Sequence, residues 1–135
     1  EGIGDTIRIS LTDNPLQEVK VAKYILGAVG LRNFGPEIIS CPTCGRCEVD
    51  LIGLVKEFEK KLKSVVRRPS SVGSQAIRIA LMGCEVNGPQ EAKEADIGVA
   101  FGKKEGLLFK KGKPVKKVSV KESVNSLIKE ISKII

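Results

Sequence analysis

The spacing of apolar and polar positions changes period several times along the chain, and each change marks an element. Thr6–Ser10 (Thr-Ile-Arg-Ile-Ser) alternates as a short strand does. Thr12-Asp13-Asn14-Pro15 then offers a helix cap with Pro at or near the first helical position. Val19, Ala22, Ile25, Leu26 and Val29 follow at helical spacing, and Gly30 supplies a stop. Arg32–Pro36 breaks both periods at Gly35 and Pro36 and reads as a linker and domain boundary.

Glu37–Ser40 predicts a strand running into Cys41. A helix over about Glu48–Val66 follows, with Val49, Ile52, Val55, Phe58, Leu62 and Val65 on one face. Arg67–Gly73, around Pro69, is expected to be a polar turn. Ala76–Met82 is an apolar run short enough for a buried strand, and it delivers Gly83 and Cys84 to its carboxyl end. Ile97–Phe101 predicts another strand. Leu107–Phe109 and Val115–Val120 flank Lys-Lys-Gly-Lys-Pro as a hairpin. A last helix over about Lys121–Ile135 carries Val124, Leu127, Ile128, Ile131 and Ile135 on one face. Strands alternating with helices imply an α/β layered fold.

Composition narrows the chemistry. With 135 residues, 41% hydrophobic, the chain suits one ordinary domain, or one domain and a piece of another. The net charge of +7 favours anionic partners, yet aromatic residues make up only 4%, too few for a base-stacking platform, so nucleic acid is not expected. No stretch approaches the roughly 20 apolar residues of a membrane span, and the sequence shows no n-region and h-region of a secretory signal. The start at Glu-Gly-Ile-Gly, without Met, suggests a processed chain or a piece of a longer one. The cytoplasm is the expected location, where four Cys read as metal ligands or redox groups rather than disulfides. There is no His, so the usual general base and the commonest nitrogen ligand are missing.

The predicted strands Glu37–Ser40 and Ala76–Met82 both end on cysteines, and ligands in α/β sheets gather at the carboxyl ends of strands. Neighbouring strands would therefore bring Cys41, Cys44 and Cys84 together. Spacing alone leaves three readings open: an iron–sulfur cluster, a tetrahedral zinc through Cys41, Cys44, Cys47 and Cys84 in a nucleic-acid-binding module, or a Cys41–Cys44 thiol–disulfide pair. The segment Gly83-Cys84-Glu85-Val86-Asn87-Gly88-Pro89-Gln90-Glu91 favours the cluster. Its Gly and Pro residues mark a tight loop that can turn backbone N–H groups toward sulfide or phosphate, and Glu91 is near enough to fold back on the same metal.

Ser40-Cys41-Pro42-Thr43-Cys44, then Met82-Gly83-Cys84 and Val86-Asn87-Gly88-Pro89 with Glu91, resemble the 4-hydroxy-3-methylbut-2-enyl diphosphate synthases of the non-mevalonate isoprenoid route. Gly2–Leu11 resembles them too, so the likeness runs in register along the chain. It implies a small α/β cluster domain of the sulfite and nitrite reductase type, with a mixed sheet and flanking helices. Residues 1–33 would be the last strand and helix of a TIM-type barrel, and 34–135 the [4Fe–4S] domain. The implied reaction is a two-electron reductive ring opening of 2-C-methyl-D-erythritol 2,4-cyclodiphosphate with loss of water. Breaking a C–O bond in this way calls for a low-potential electron source and a Lewis acid, which a [4Fe–4S] cluster combines.

By the same resemblance Cys41, Cys44 and Cys84 are the thiolate ligands. Glu91 is the exchangeable fourth ligand that substrate oxygen displaces. Arg8, Ser10 and Asn87 face the substrate, the two former as phosphate donors. The implied partners are a cyclic diphosphate, a ferredoxin or flavodoxin, and a second subunit in a head-to-tail homodimer. Two positions depart from the family pattern: Cys47 is outside its ligand set, and Gln90 stands where Gly is usual, which would strain the loop if a positive φ were required. Lys103, Lys104, Lys110, Lys111, Lys113, Lys116 and Lys117 read as a solvated hairpin in preference to a docking patch for the electron carrier.

Overall fold

The computed structural model describes residues 3–66, 76–86 and 88–134. The chain divides into two compact units, the first running through Gly35 and the second holding Pro36–Val66 and Ile77 onward.

In the first unit the one described helix is α1 (Pro15–Ala28). Asn14 caps it, its side chain accepting from the Leu16 N–H at 2.9 Å, and Pro15 takes the first position. The far end is a Schellman motif. Gly30, at φ +72°, donates to the Gly27 carbonyl (2.9 Å) and Leu31 to that of Leu26 (3.0 Å). Thr6–Ser10 forms no strand. Alternation makes a segment fit to pair, but a strand exists only through its ladder, and no described strand lies in this unit to bond it. Lys23 sits over the Phe34 ring, 5.9 Å from its centre.

The second unit is a five-stranded mixed sheet in the order β1 (Glu37–Ser40), β2 (Arg78–Met82), β3 (Ile97–Phe101), β4 (Glu105–Lys110), β5 (Lys113–Ser119). The first three strands are parallel, and β4 and β5 are antiparallel to their neighbours. Helices α2 (Leu51–Val65) and α4 (Val120–Ile131) pack together over one face. The single turn α3 (Gly88–Glu91) contacts β2 and β3.

Period-two alternation deals the apolar run of β2 to two cores. Ile79 and Leu81 join Phe58, Leu62, Leu127 and Ile131 in the main core, while Ala80 and Met82 meet Ala92, Ala95, Ala100 and Phe109 in the second. The central strands are thus buried on both faces, which is why they read as continuous apolar runs. Glycine at 98 makes room for the Phe109 ring and the Ala80 carbonyl, the latter 2.6 Å from where a Cβ would stand.

Helix α2 starts at Leu51 behind Asp50, whose carboxylate accepts from Gly53 N–H at 3.0 Å. Phe58 and Leu62 of the expected face are buried and Val49 and Val55 pack against the same core, whereas Ile52 is 62% exposed and Leu51 is buried in its stead. The expected hairpin is present. Lys111 (φ +48°) and Gly112 (φ +71°) form its two-residue turn, both in the left-handed region a type I′ turn needs. Ser119 caps α4, which ends at Ile131 and buries Val124, Leu127 and Ile131 of the expected face with Ser123 beside them; Ile128 is half-buried, and Ile135 lies outside the described residues. The turn expected at Arg67–Gly73 lies outside the described residues.

Candidate functional site

Parallel pairing places Ser40 opposite Leu81 and Met82 opposite Ala100, so the segments following β1 and β2 leave the same edge of the sheet side by side. Cys41 follows β1 directly and Cys84 lies two residues past β2. Between Cys41 and Cys44 the chain turns at Thr43, which holds φ +61°. A β-branched residue there costs roughly 1–3 kcal/mol, and that strain falls inside the Cys-x-x-Cys turn. The Cys47 N–H then donates to the Cys44 carbonyl at 2.9 Å and closes the next turn.

These turns leave one cavity of about 150 Å³ at the sheet edge. Cys41, Cys44 and Cys84 all line it, with Thr43, Arg46, Met82 and Gly88 among its other walls. All four cysteines are free thiols. The buried Gly83 N–H donates to Cys41 Sγ at 3.2 Å, the kind of contact that stabilises a thiolate. Among the described residues no three Cys, Asp or Glu side chains close on a point that one ion could occupy. The thiols border a volume instead.

Cys47 does not line the cavity. Its Sγ lies 3.4 Å from the Val49 carbonyl, and it packs against the main core. Asn87 and the side chain of Glu91 lie outside the described residues. The backbone of Glu91 ends α3, and the Ala92 N–H closes that turn on the Gly88 carbonyl at 3.0 Å. Gln90 is helical and exposed, so no positive φ is demanded of it. Arg8 and Ser10 are exposed residues of the first unit, on non-strand backbone.

Arg46 is a site residue that sequence reasoning passed over, although a cation two positions past Cys44 was a visible signal for it. Gly83 was expected to help turn backbone N–H groups toward sulfide or phosphate, and its N–H does meet Cys41 Sγ, a partner that the sequence did not name. The lysine cluster divides between the two ends of the sheet. Lys103 and Lys104 follow β3 at the cysteine edge, while Lys110, Lys111 and Lys113 surround the hairpin turn at the opposite edge. Lys117 pairs with Glu105 at 3.5 Å and Lys103 with Glu48 at 3.9 Å.

Fold and site together define an α/β domain that presents three free thiols around one cavity at the carboxyl edge of its parallel strands. The GcpE protein C-terminal domain matches residues 37–133, and the chain belongs to that family. It is 55% identical over 133 residues to the 4-hydroxy-3-methylbut-2-en-1-yl diphosphate synthase (flavodoxin) of Thermodesulfovibrio yellowstonii, covering 98% of this chain and 36% of that protein. Proteins of the same name from Caldicellulosiruptor saccharolyticus and Clostridium acetobutylicum are 56% and 53% identical over 131 residues, 97% of this chain and 35% of each. The chain thus spans about a third of the length of the curated relatives it matches. Among the described residues no helix is long and apolar enough to cross a membrane.

Proposed function

We propose that this chain is the cluster-holding C-terminal part of a 4-hydroxy-3-methylbut-2-en-1-yl diphosphate synthase. Its reaction is the two-electron reductive ring opening of 2-C-methyl-D-erythritol 2,4-cyclodiphosphate with loss of water, and its place is the cytoplasm. The observation that carries this reading is the one cavity bordered by Cys41, Cys44 and Cys84 with Cys47 outside it, in a chain more than half identical to synthases of that name.

The donor set fits a [4Fe–4S] cluster better than a zinc ion. Zinc needs four donors at about 2.0–2.3 Å from one point, whereas cluster thiolates sit on different irons and therefore surround a volume. When bound, the cluster supplies electrons at low potential and a Lewis-acidic iron. Cys41, Cys44 and Cys84 would hold the cluster by their thiolates, the Gly83 N–H would support Cys41, and Glu91 would be its exchangeable carboxylate ligand. Asn87, Arg8 and Ser10 take the substrate side, the latter two as donors to phosphate.

In this reading residues 1–33 supply the last strand and helix of a TIM-type barrel, Thr6–Ser10 pairing as a strand only beside its barrel neighbours, and 34–135 are a domain of the sulfite and nitrite reductase type. The exposure of α1 supports the first part: none of its residues is buried, and Leu16 and Tyr24 are 69% and 76% exposed. A helix with uncovered apolar residues on several sides is one that a larger body covers. Flavodoxin, which the relatives' names carry, is the donor we assign, and the complete enzyme is a head-to-tail homodimer.

Oxygen-free reconstitution tests the proposal. The protein should take up about four irons and as many acid-labile sulfides per chain, the content of a [4Fe–4S] centre. Cys41→Ser, Cys44→Ser and Cys84→Ser should each abolish stable uptake, and full iron binding by Cys84→Ser would refute the ligand set.

A further inference from the structure

Cys47 is left over by the proposed ligand set, yet it touches the segments that carry the ligands. Its N–H closes the turn on the Cys44 carbonyl at 2.9 Å. Its Sγ lies 2.7 Å from the point where a Cβ on Gly83 would stand, and its own Cβ lies 3.2 Å from that point. Gly83 immediately precedes Cys84, and its N–H reaches Cys41 Sγ at 3.2 Å. The Cys41 sulfur itself is 3.3 Å from the same point. No side chain fits between the two sulfurs, and the bare backbone of Gly83 fills the gap.

We infer that Cys47 is a positioning residue for the thiolate site. Its sulfur, steered by the Val49 carbonyl at 3.4 Å, is a post against which Gly83 packs, and the contact aims the Gly83 N–H at Cys41. A thiol serves because it packs as a small apolar group, and Cys47 is half-buried against the main core. The hydrogen bond to Cys41 spreads the thiolate charge and favours the reduced state of a bound cluster, since donors to ligand sulfurs raise its potential. Cys47 therefore acts on the ligands through Gly83 and binds no iron.

This inference rests on the cluster reading above, and the test separates the two. The complete enzyme is reconstituted without oxygen, and three quantities are measured: iron per chain, the rate of iron loss to a chelator, and the midpoint potential by spectroscopically followed redox titration. A wild-type protein that takes up no four-iron cluster refutes the functional reading. Given a wild-type cluster, Cys47→Ser should match wild type in all three, because the hydroxyl keeps the donor to Val49. Cys47→Ala should keep full iron content with a few-fold faster loss. Gly83→Ala should lose iron about tenfold faster or more, as overpacking forces backbone shifts, and its potential should move negative as the N–H leaves Cys41.

The decisive variant is Gly83→Ala combined with Cys47→Ala. Removing the sulfur leaves only the 3.2 and 3.3 Å contacts for the new methyl, so loss rate and potential should return toward wild type. A double variant no better than Gly83→Ala overturns the inference. So does a Cys47→Ala protein short of iron, which would make Cys47 a ligand. A Gly83→Ala protein equal to wild type overturns it as well.

Discussion

Gly88→Ala asks whether the single turn α3 is packed on the sheet tightly enough to set the wall of the cavity. A Cβ at position 88 would stand 2.7 Å from Met82 Cβ and 3.0 Å from Ala100 Cβ, with Met82 Cγ at 3.4 Å. The two nearest atoms are fixed to strand backbone, so neither can rotate away. The turn must lift from β2 and β3 or the strands must part, and such overpacking costs about 1–3 kcal/mol. For a domain near one hundred residues each kcal/mol lowers the melting temperature by about 4–8 °C, so the expected fall is about 4–24 °C. Thermal unfolding followed by circular dichroism measures it, with Gly45→Ala as the control. Nothing lies within 4 Å of a Cβ there, and the change should stay within about 1 kcal/mol, the cost of Gly relative to Ala in unstrained backbone. Equal melting temperatures for Gly88→Ala and wild type would refute the packing of α3 against the sheet. Ala100→Gly added to Gly88→Ala should recover less than the full loss, because the shorter contact to Met82 remains.

Thr43→Gly should raise the stability of the metal-free protein by up to about 1 kcal/mol in urea unfolding, the relief at φ +61° exceeding the added freedom of the unfolded chain. Thr43→Pro, locked near φ −65°, should lose metal uptake. Phe58→Ala empties a fully buried site between α2 and the sheet and should cost about 3–5 kcal/mol in the same assay. The hydrogen bond from Lys133, at 2.7 Å, holds the Glu130 carboxyl below its ordinary value of 4.5, so any stability it adds is present above that value and fades as the pH falls through the lowered one. An NMR titration should place the Glu130 midpoint below 4.5, and Lys133→Ala should move it upward.

Much of the fold follows from local chemistry that needs no neighbours. The Asn14–Pro15 start and Gly30 stop of α1, and the Lys-Gly hairpin turn, rest on caps and backbone angles a few residues long, and all are where the pattern puts them. The apolar runs of β2 and β3 identify buried strands, because burial on both faces removes polar positions altogether. Cysteines at two strand ends were legible in the same way, since a parallel pair brings its carboxyl ends to one edge.

What failed or stayed hidden depends on distant partners. Thr6–Ser10 alternates well but has no ladder to join among the described residues of its unit. The stripe of α2 turns to Leu51 and away from Ile52 because the core decides which apolar side chain it covers. Gln90 carries no strain because its segment turns as a helix, a choice made by packing on Met82 and Ala100 rather than by the Gly-Pro pair. The spacing of the cysteines left their division undecided. Three of them border the cavity and Cys47 stands behind it because the sheet edge, Gly83 and the Val49 carbonyl meet there in space, from segments far apart in the chain.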